Sequence, residues 1–567
     1  MVLPWARIST ALAGWPQHGV KDCVPAKVRS VLLSLALALL VPAAAQAAPS
    51  VTTAQFGMDV PTTATGARAT SASGFVTPPL RAPRRYELVG AEWRSGSGAL
   101  WLRGRRSGRQ WSSWARLGES EEPSRAAPHA TEPVWAGGDD YVQLRGSRPM
   151  RGLHLSFVNA HVPAAFTTAV RKSQVPLPIG GQLAITPRAG WGASRCKPRK
   201  TAGYGSVDLA FIHHTDSLNA YSRAQSASVV LGVCLFHRNV NRWNDIGYNF
   251  LVDRYGQVFE GRAGGMEEPV VGAQAGGFNL FSTGIAAIGT YSSQRFSAAG
   301  MNSLAELLAW KLSLLGISAV GTVTVPSDGG PFTPFRKGTP VTLNHIAGHR
   351  DADSTACPGS ALYAQLPGLR TRVAQLQGPV SRLQLSSLQP KQVFPQPVPV
   401  SGLLTPAPGL ALPPGATVEI RDQLARGGRV VATLPVAPDG TFSGTLPLAH
   451  SDVLQATFAG GGGLPRLVSG VLFTTVAPSV TLQSSGASVP RGSTIAFSGS
   501  VNPPTSRLTL DEEELRGTRY RRVRTLKLRA THGAFSVTVG LSRPGSFRFT
   551  ARAGAGASQP VTIQVTA

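Results

Sequence analysis

Val207-Asp208-Leu209-Ala210-Phe211-Ile212-His213-His214-Thr215 is an apolar, β-branched run that stops on two histidines and a threonine. It reads as a buried strand whose end opens into a polar loop. Working outward, Val229, Val230, Val233, Phe236 and His237 recur with helical spacing. Phe250-Leu251-Val252 and the run from Gly284 to Ile288 predict further strands. Leu304, Leu307, Leu308, Lys311, Leu312 and Leu315 share one helix face, with Ser297 placed to cap its start and Gly316 to end it. Strands alternating with helices over residues 183–376 predict an α/β domain, a mixed sheet with flanking helices.

A chain of 567 residues exceeds one hydrophobic core, so several domains are expected. Residues 48–80, rich in Thr, Ala, Ser and Pro, read as a linker, as do 161–182 and 377–395. Residues 81–160 carry short alternating runs such as Ala99-Leu100-Trp101-Leu102-Arg103 and Tyr141-Val142-Gln143-Leu144-Arg145, which predict a β-sandwich. Trp93, Trp101, Trp111, Trp114 and Trp135 fall there and read mainly as core, with a sugar-stacking platform as the alternative. Two β-rich units follow, 396–475 and 476–567. Val400-Ser401-Gly402, Val418-Glu419-Ile420 and Gly440-Thr441-Phe442 return as Phe497-Ser498-Gly499, Leu508-Thr509-Leu510 and Gly533-Ala534-Phe535, at separations of 97, 90 and 93 residues. A gapped repeat of this length predicts two immunoglobulin-like β-sandwiches.

Lys21, Lys27 and Arg29 precede an apolar run from Val31 to Val41, and Ala45-Gln46-Ala47 offers a cleavage site. Residues 1–47 therefore read as a signal peptide, and the protein as secreted, extracellular or associated with a cell wall. No run is long enough for a transmembrane anchor. A net charge of +26, mostly arginine, favours anionic partners. The composition of a GC-rich genome explains the arginines equally well. Cleavage near Ala47 removes Cys23 and leaves Cys196, Cys234 and Cys357. A Cys196–Cys234 disulfide with Cys357 held by a metal resolves the odd count; three buried free thiols are the alternative.

Gly348-His349-Arg350-Asp351-Ala352-Asp353-Ser354-Thr355-Ala356-Cys357-Pro358-Gly359 sets an imidazole and a thiol eight residues apart in a turn-rich segment. Both ligate zinc once deprotonated. Further ligands must come from elsewhere, and the histidine pair at the strand end is one source. Adjacent strand residues face opposite ways, so one of His213 and His214 serves.

Trp191-Gly192-Ala193, Phe211-Ile212-His213-His214-Thr215, Asp245-Ile246-Gly247-Tyr248-Asn249-Phe250, Phe259-Glu260-Gly261-Arg262, Gly277-Phe278-Asn279, Gly348-His349-Arg350-Asp351 and Cys357-Pro358-Gly359 occur in one order. In these landmarks residues 183–376 resemble the family of zinc-dependent N-acetylmuramoyl-L-alanine amidases and peptidoglycan recognition proteins. The resemblance implies Zn2+ bound by His213, His349 and Cys357, with Tyr248 and Thr355 supporting catalysis. His214, His345, Arg350 and Asp351 are expected behind the ligands. Gln274 stands where many relatives carry His, and Ala286 where some carry a catalytic Glu, so the general base is left open. The implied function is hydrolysis of the amide between N-acetylmuramic acid and L-alanine by zinc-activated water. A non-catalytic peptidoglycan-binding protein and a wall adhesive are the alternatives. The expected partners are peptidoglycan and muropeptides, with anionic wall polymers beside them and no nucleic acid; the expected state is a monomer.

Overall fold

The computed structural model describes residues 50–64, 74–118, 129–425 and 428–567. The signal peptide expected at 1–47, with Cys23, lies outside them. The α/β domain rests on a seven-stranded mixed sheet: β1 (Ser173–Pro176), β2 (Gln182–Thr186), β3 (Leu209–His214), β4 (Phe250–Val252), β5 (Val258–Glu260), β6 (Ser282–Ala287) and β7 (Ile346–Gly348). Their order is β7-β3-β6-β4-β5-β2-β1. β3 runs parallel to both neighbours, with Ile212 opposite Ile285 on β6 and Gly348 on β7. All six of its residues are buried, which is why it reads as one continuous apolar run.

Helix α1 (Ser226–Asn239) covers one face of this sheet; α2 (Ala298–Leu314) and α3 (Leu366–Gln377) cover the other. The Ser297 hydroxyl caps α2 by accepting from the Gly300 N–H at 3.0 Å, as its position predicts. A disulfide joins Cys196 to Cys234 on α1. Among the described residues, no helix is long and apolar enough to cross a membrane.

The segments expected as linkers carry structure. Thr52–Asp59 is a strand paired with His154–His161 over eight residues. It is an edge strand whose Ala54, Phe56 and Met58 face inward and are only partly buried, so it shows a short alternation and no apolar run marks it. In 161–182, Ala164–Ala169 is helical and β1 extends the α/β sheet. In 377–395, Arg382–Ser386 and Lys391–Val393 are strands of the following unit. The six strands within residues 80–161, with Thr52–Asp59 and Phe75–Val76, form one hydrogen-bonded eight-stranded sheet rather than the two separate facing sheets expected of a β-sandwich. Leu88, Trp135, Val158 and Ala160 of this N-terminal sheet pack on Val229, Val230 and Phe236 of α1. Trp93 and Trp135 are core, whereas Trp101, Trp111 and Trp114 are half-buried beneath the guanidinium groups of Arg103, Arg105 and Arg145.

The rest of the chain is β-rich. Residues 382–477 form a three-stranded and a five-stranded sheet around one apolar cluster, and residues 479–566 a four-stranded and a six-stranded one. The first unit also touches the α/β domain: Val468 enters its core, and Arg466 pairs with Glu267 at 2.8 Å.

Candidate metal centre and active site

Parallel strands end together, and side chains at their carboxyl ends share one rim of the sheet. His213 is the penultimate residue of β3, and His349 follows directly on β7. The short 3-10 turn His349–Asp351 and the loop after it bring Cys357 back to the same rim. The ligand atoms of His213, His349 and Cys357 lie within 4.8 Å of one another. The Cys357 Sγ is 3.6 Å from His213 Nδ1, and the two imidazole rings lie tilted at 50° to one another with centroids 4.5 Å apart.

Each histidine is held by its other nitrogen. His213 Nε2 donates to Gln274 Oε1 at 2.5 Å, and Gln274 Nε2 donates on to the Ser282 hydroxyl. His349 Nε2 donates to Asp353 Oδ2 at 2.9 Å, and that oxygen also accepts from the Gly276 N–H at 2.7 Å. One loop, 274–276, therefore braces both rings. Burial pushes His213 well below the usual imidazole range and His349 down to about 3, in each case with a neighbouring imidazole adding to the effect. Burial also pushes the Asp353 carboxyl up to about 7. Neutral imidazoles and a compact N, N, S donor set suit a tetrahedral, thiolate-accepting metal such as zinc, with a coordination position left over.

His214 faces the other way. Its Nδ1 accepts from the Tyr291 N–H and its Nε2 is 3.7 Å from Asp216, while its backbone N–H points at the Cys357 Sγ at 3.4 Å. Tyr248 is buried with its ring 5.4 Å from that of His213. The Thr355 hydroxyl accepts from the Cys357 N–H at 3.1 Å, which shapes the loop under the thiol. Arg350 braces the same loop by donating to the carbonyls of Ala356 and Cys357. Asp351 receives the Gly348 N–H at 2.9 Å and the Tyr363 hydroxyl at 2.6 Å. His345 does not stand behind the ligands. It precedes β7, at the opposite end of the strand from His349, and its Nδ1 meets the Val320 carbonyl. Asp353 carried no role in the sequence reading, although its i, i+4 spacing from His349 was the available signal.

Residues 203–360 match the family model described as N-acetylmuramoyl-L-alanine amidase. Peptidoglycan-recognition protein SC2 of Drosophila melanogaster is 27% identical over 184 residues, covering 32% of this chain and 85% of that protein. An N-acetylmuramoyl-L-alanine amidase of Mus musculus is 26% identical over 240 residues, covering 42% of this chain and 39% of that protein. Among solved structures, wild-type peptidoglycan recognition protein LB of Drosophila is 25% identical, with 32% of this chain and 91% of that chain covered at a TM-score of 0.25.

Proposed function

Since the α/β domain of this chain belongs to the N-acetylmuramoyl-L-alanine amidase and peptidoglycan recognition protein family, we propose that the protein is a secreted zinc hydrolase that cuts the amide between N-acetylmuramic acid and L-alanine in peptidoglycan. The observation that carries this reading is the convergence of His213, His349 and Cys357 at one rim of the sheet. His213 and His349 would each offer Nδ1, because Nε2 of each is engaged by Gln274 or Asp353. Zinc held there supplies Lewis acidity, making water more acidic and polarising a carbonyl.

The chain's own groups do the rest. The His214 N–H points at the Cys357 sulfur and helps to hold it beside the two imidazoles. Tyr248, whose ring lies beside that of His213, would donate to the oxygen on which charge develops as the amide is attacked. The Thr355 hydroxyl oxygen keeps Cys357 in position by accepting from the Cys357 N–H, and the Thr355 hydroxyl proton is the part that substrate would use. Gln274 and Asp353 hold the imidazoles in the ligating tautomer. The β-rich units on either side serve to retain the enzyme on the wall, and the positive charge adds attraction to anionic wall polymers.

Purified sacculi treated with the zinc-loaded protein should gain L-alanine amino termini and no reducing sugar ends. Chelation should stop the reaction and zinc should restore it. A Cys357→Ala variant that kept full activity would falsify the assignment. The recognition proteins among the relatives favour a second reading, a binding protein without hydrolysis. Muropeptide binding without new amino termini would select it.

A further inference from the structure

We propose that Glu132, carried by the N-terminal sheet and outside the matched residues 203–360, is a positioning residue for Tyr248 that acts through His237. Glu132 follows the short strand His129–Ala130, and its backbone N–H is fixed on the Gly118 carbonyl at 2.8 Å. Its carboxylate reaches across to α1, where Oε2 accepts from His237 Nε2 at 2.7 Å. His237 is fully buried, and its other nitrogen, Nδ1, accepts from the Gly247 N–H at 3.1 Å.

These two contacts fix the ring. Nδ1 must carry a lone pair to receive the amide proton, so the proton of a neutral imidazole sits on Nε2 and points at Glu132. With Glu132 gone, a buried Nε2–H loses its acceptor and the competing tautomer becomes accessible. That tautomer places a proton on Nδ1 and breaks the bond to Gly247. Gly247 is the residue before Tyr248. The His237 ring lies 5.7 Å from the Tyr248 ring on one side and 4.5 Å from Trp243 on the other. Tyr248 is thus held between His237 and the proposed ligand His213. A carboxylate 116 residues upstream in sequence, from a different sheet, sets the backbone and ring environment of the oxyanion donor. The groups that face the His237 ring are Glu132 from the N-terminal sheet and Gly247, Tyr248 and Trp243 from the segment after α1.

The inference rests on the role proposed above for Tyr248, and the test separates the two. The full-length zinc-loaded chain is assayed on a soluble muropeptide as wild type, Glu132→Leu, Glu132→Gln, Tyr248→Phe and the Glu132→Leu/Tyr248→Phe double variant. Glu132→Leu should lower kcat about tenfold with KM within about twofold, the usual cost of losing an orienting partner. Glu132→Gln keeps an acceptor oxygen and should recover kcat to within about twofold of wild type. In the Tyr248→Phe background, Glu132→Leu should cost nothing further, because the group it positions is already absent. An unchanged kcat in Glu132→Leu, no recovery with Gln, or the same loss with and without the Tyr248 hydroxyl would overturn the proposal. A purely structural contact lowers melting temperature but leaves the cycle additive. If wild type cleaves nothing, the hydrolase reading fails. The same cycle is then read as muropeptide Kd, where additivity overturns the positioning role and its absence supports it.

Discussion

A buried imidazole stays in one orientation only if its second nitrogen has a partner, and for His349 that partner is Asp353. Asp353→Ala should weaken zinc binding about 10–100-fold, read by competition with a chromophoric chelator on the full-length protein. Gln274→Leu should weaken it in the same direction but by less, because a neutral amide is being lost. Unchanged zinc affinity in both variants would rule out this bracing. Lys311 carries a buried charge on α2. It was legible as part of the apolar face of α2, and it is indeed buried, donating to the carbonyls of Met266, Glu267 and Glu268 at 2.8, 2.8 and 3.0 Å. Burial pushes its pKa from 10.5 down to about 7, with Glu268 and Glu267 partly opposing. Between those values the unfolded chain binds the extra proton, so stability from this group rises with pH, by at most about 1.4 kcal/mol per unit. Below about pH 7 the penalty is constant. Calorimetry from pH 7 to 9.5 should show a steeper rise for wild type than for Lys311→Met; parallel curves would mean that the ammonium titrates normally. Among the site residues, the sequence alone could not choose between His213 and His214. The pleat of β3 and its parallel register with β7, which are properties of the sheet, bring His213 and not His214 beside His349 and Cys357. Glu132 was invisible for a similar reason: nothing local to it announces a contact with His237, 105 residues away.

At the scale of elements, α1 explains both a success and a failure of pattern reading. Its helical spacing was legible from Val229 to His237. Its residues Ser226–His237 are all buried, however, because it is covered on one side by the α/β sheet and on the other by the N-terminal sheet. A helix apolar all round gives no amphipathic signal to say which neighbour it serves. The contact is close enough to require glycine on both sides. A Cβ at Gly232 would lie 2.2 Å from Leu88 Cδ1, and one at Gly90 would lie 2.2 Å from Phe236 Cζ. Gly232→Val should therefore destabilise the protein by about 1–3 kcal/mol or more through overpacking, and Gly90→Val likewise. Equal melting temperatures for wild type and both variants would show that the two sheets do not bear on α1 in solution. The strand Thr52–Asp59 failed to register for the opposite reason: an edge strand with no buried residue carries only the alternation Ala54, Phe56, Met58 and no apolar run.

Across the whole molecule, the repeat seen as three landmarks is carried by matching strand pairs. Strand Val398–Thr405 pairs with Thr441–Leu446 and sets Gly402 opposite Phe442; strand Thr494–Asn502 pairs with Ala534–Gly540 and sets Gly499 opposite Phe535. In each case the phenyl ring lies over the glycine, where a Cβ would come within 2.1 or 2.6 Å of it. Each unit also closes its larger sheet with a short parallel strand, Lys391–Val393 in one and Ser488–Pro490 in the other. The units differ in what they touch. Val468 and Arg466 tie the first to the α/β domain, and Gln423 of the same unit donates to Glu268 at 3.0 Å. Ending the chain after residue 477 should thus leave muropeptide cleavage and melting temperature near those of the full chain while reducing sacculus binding. Ending it after residue 377 should lower the melting temperature as well. Equal sacculus binding by all three proteins would remove the retention role from the C-terminal units. The position of α1 also governs how this protein can change over time. A helix flanked by solvent can drift on its outer face; this one has none, so a change at Phe236 or Gly232 must suit two sheets at once. A relative's α/β domain grafted beneath this N-terminal sheet would need the outer face of that helix rewritten before the two halves could meet.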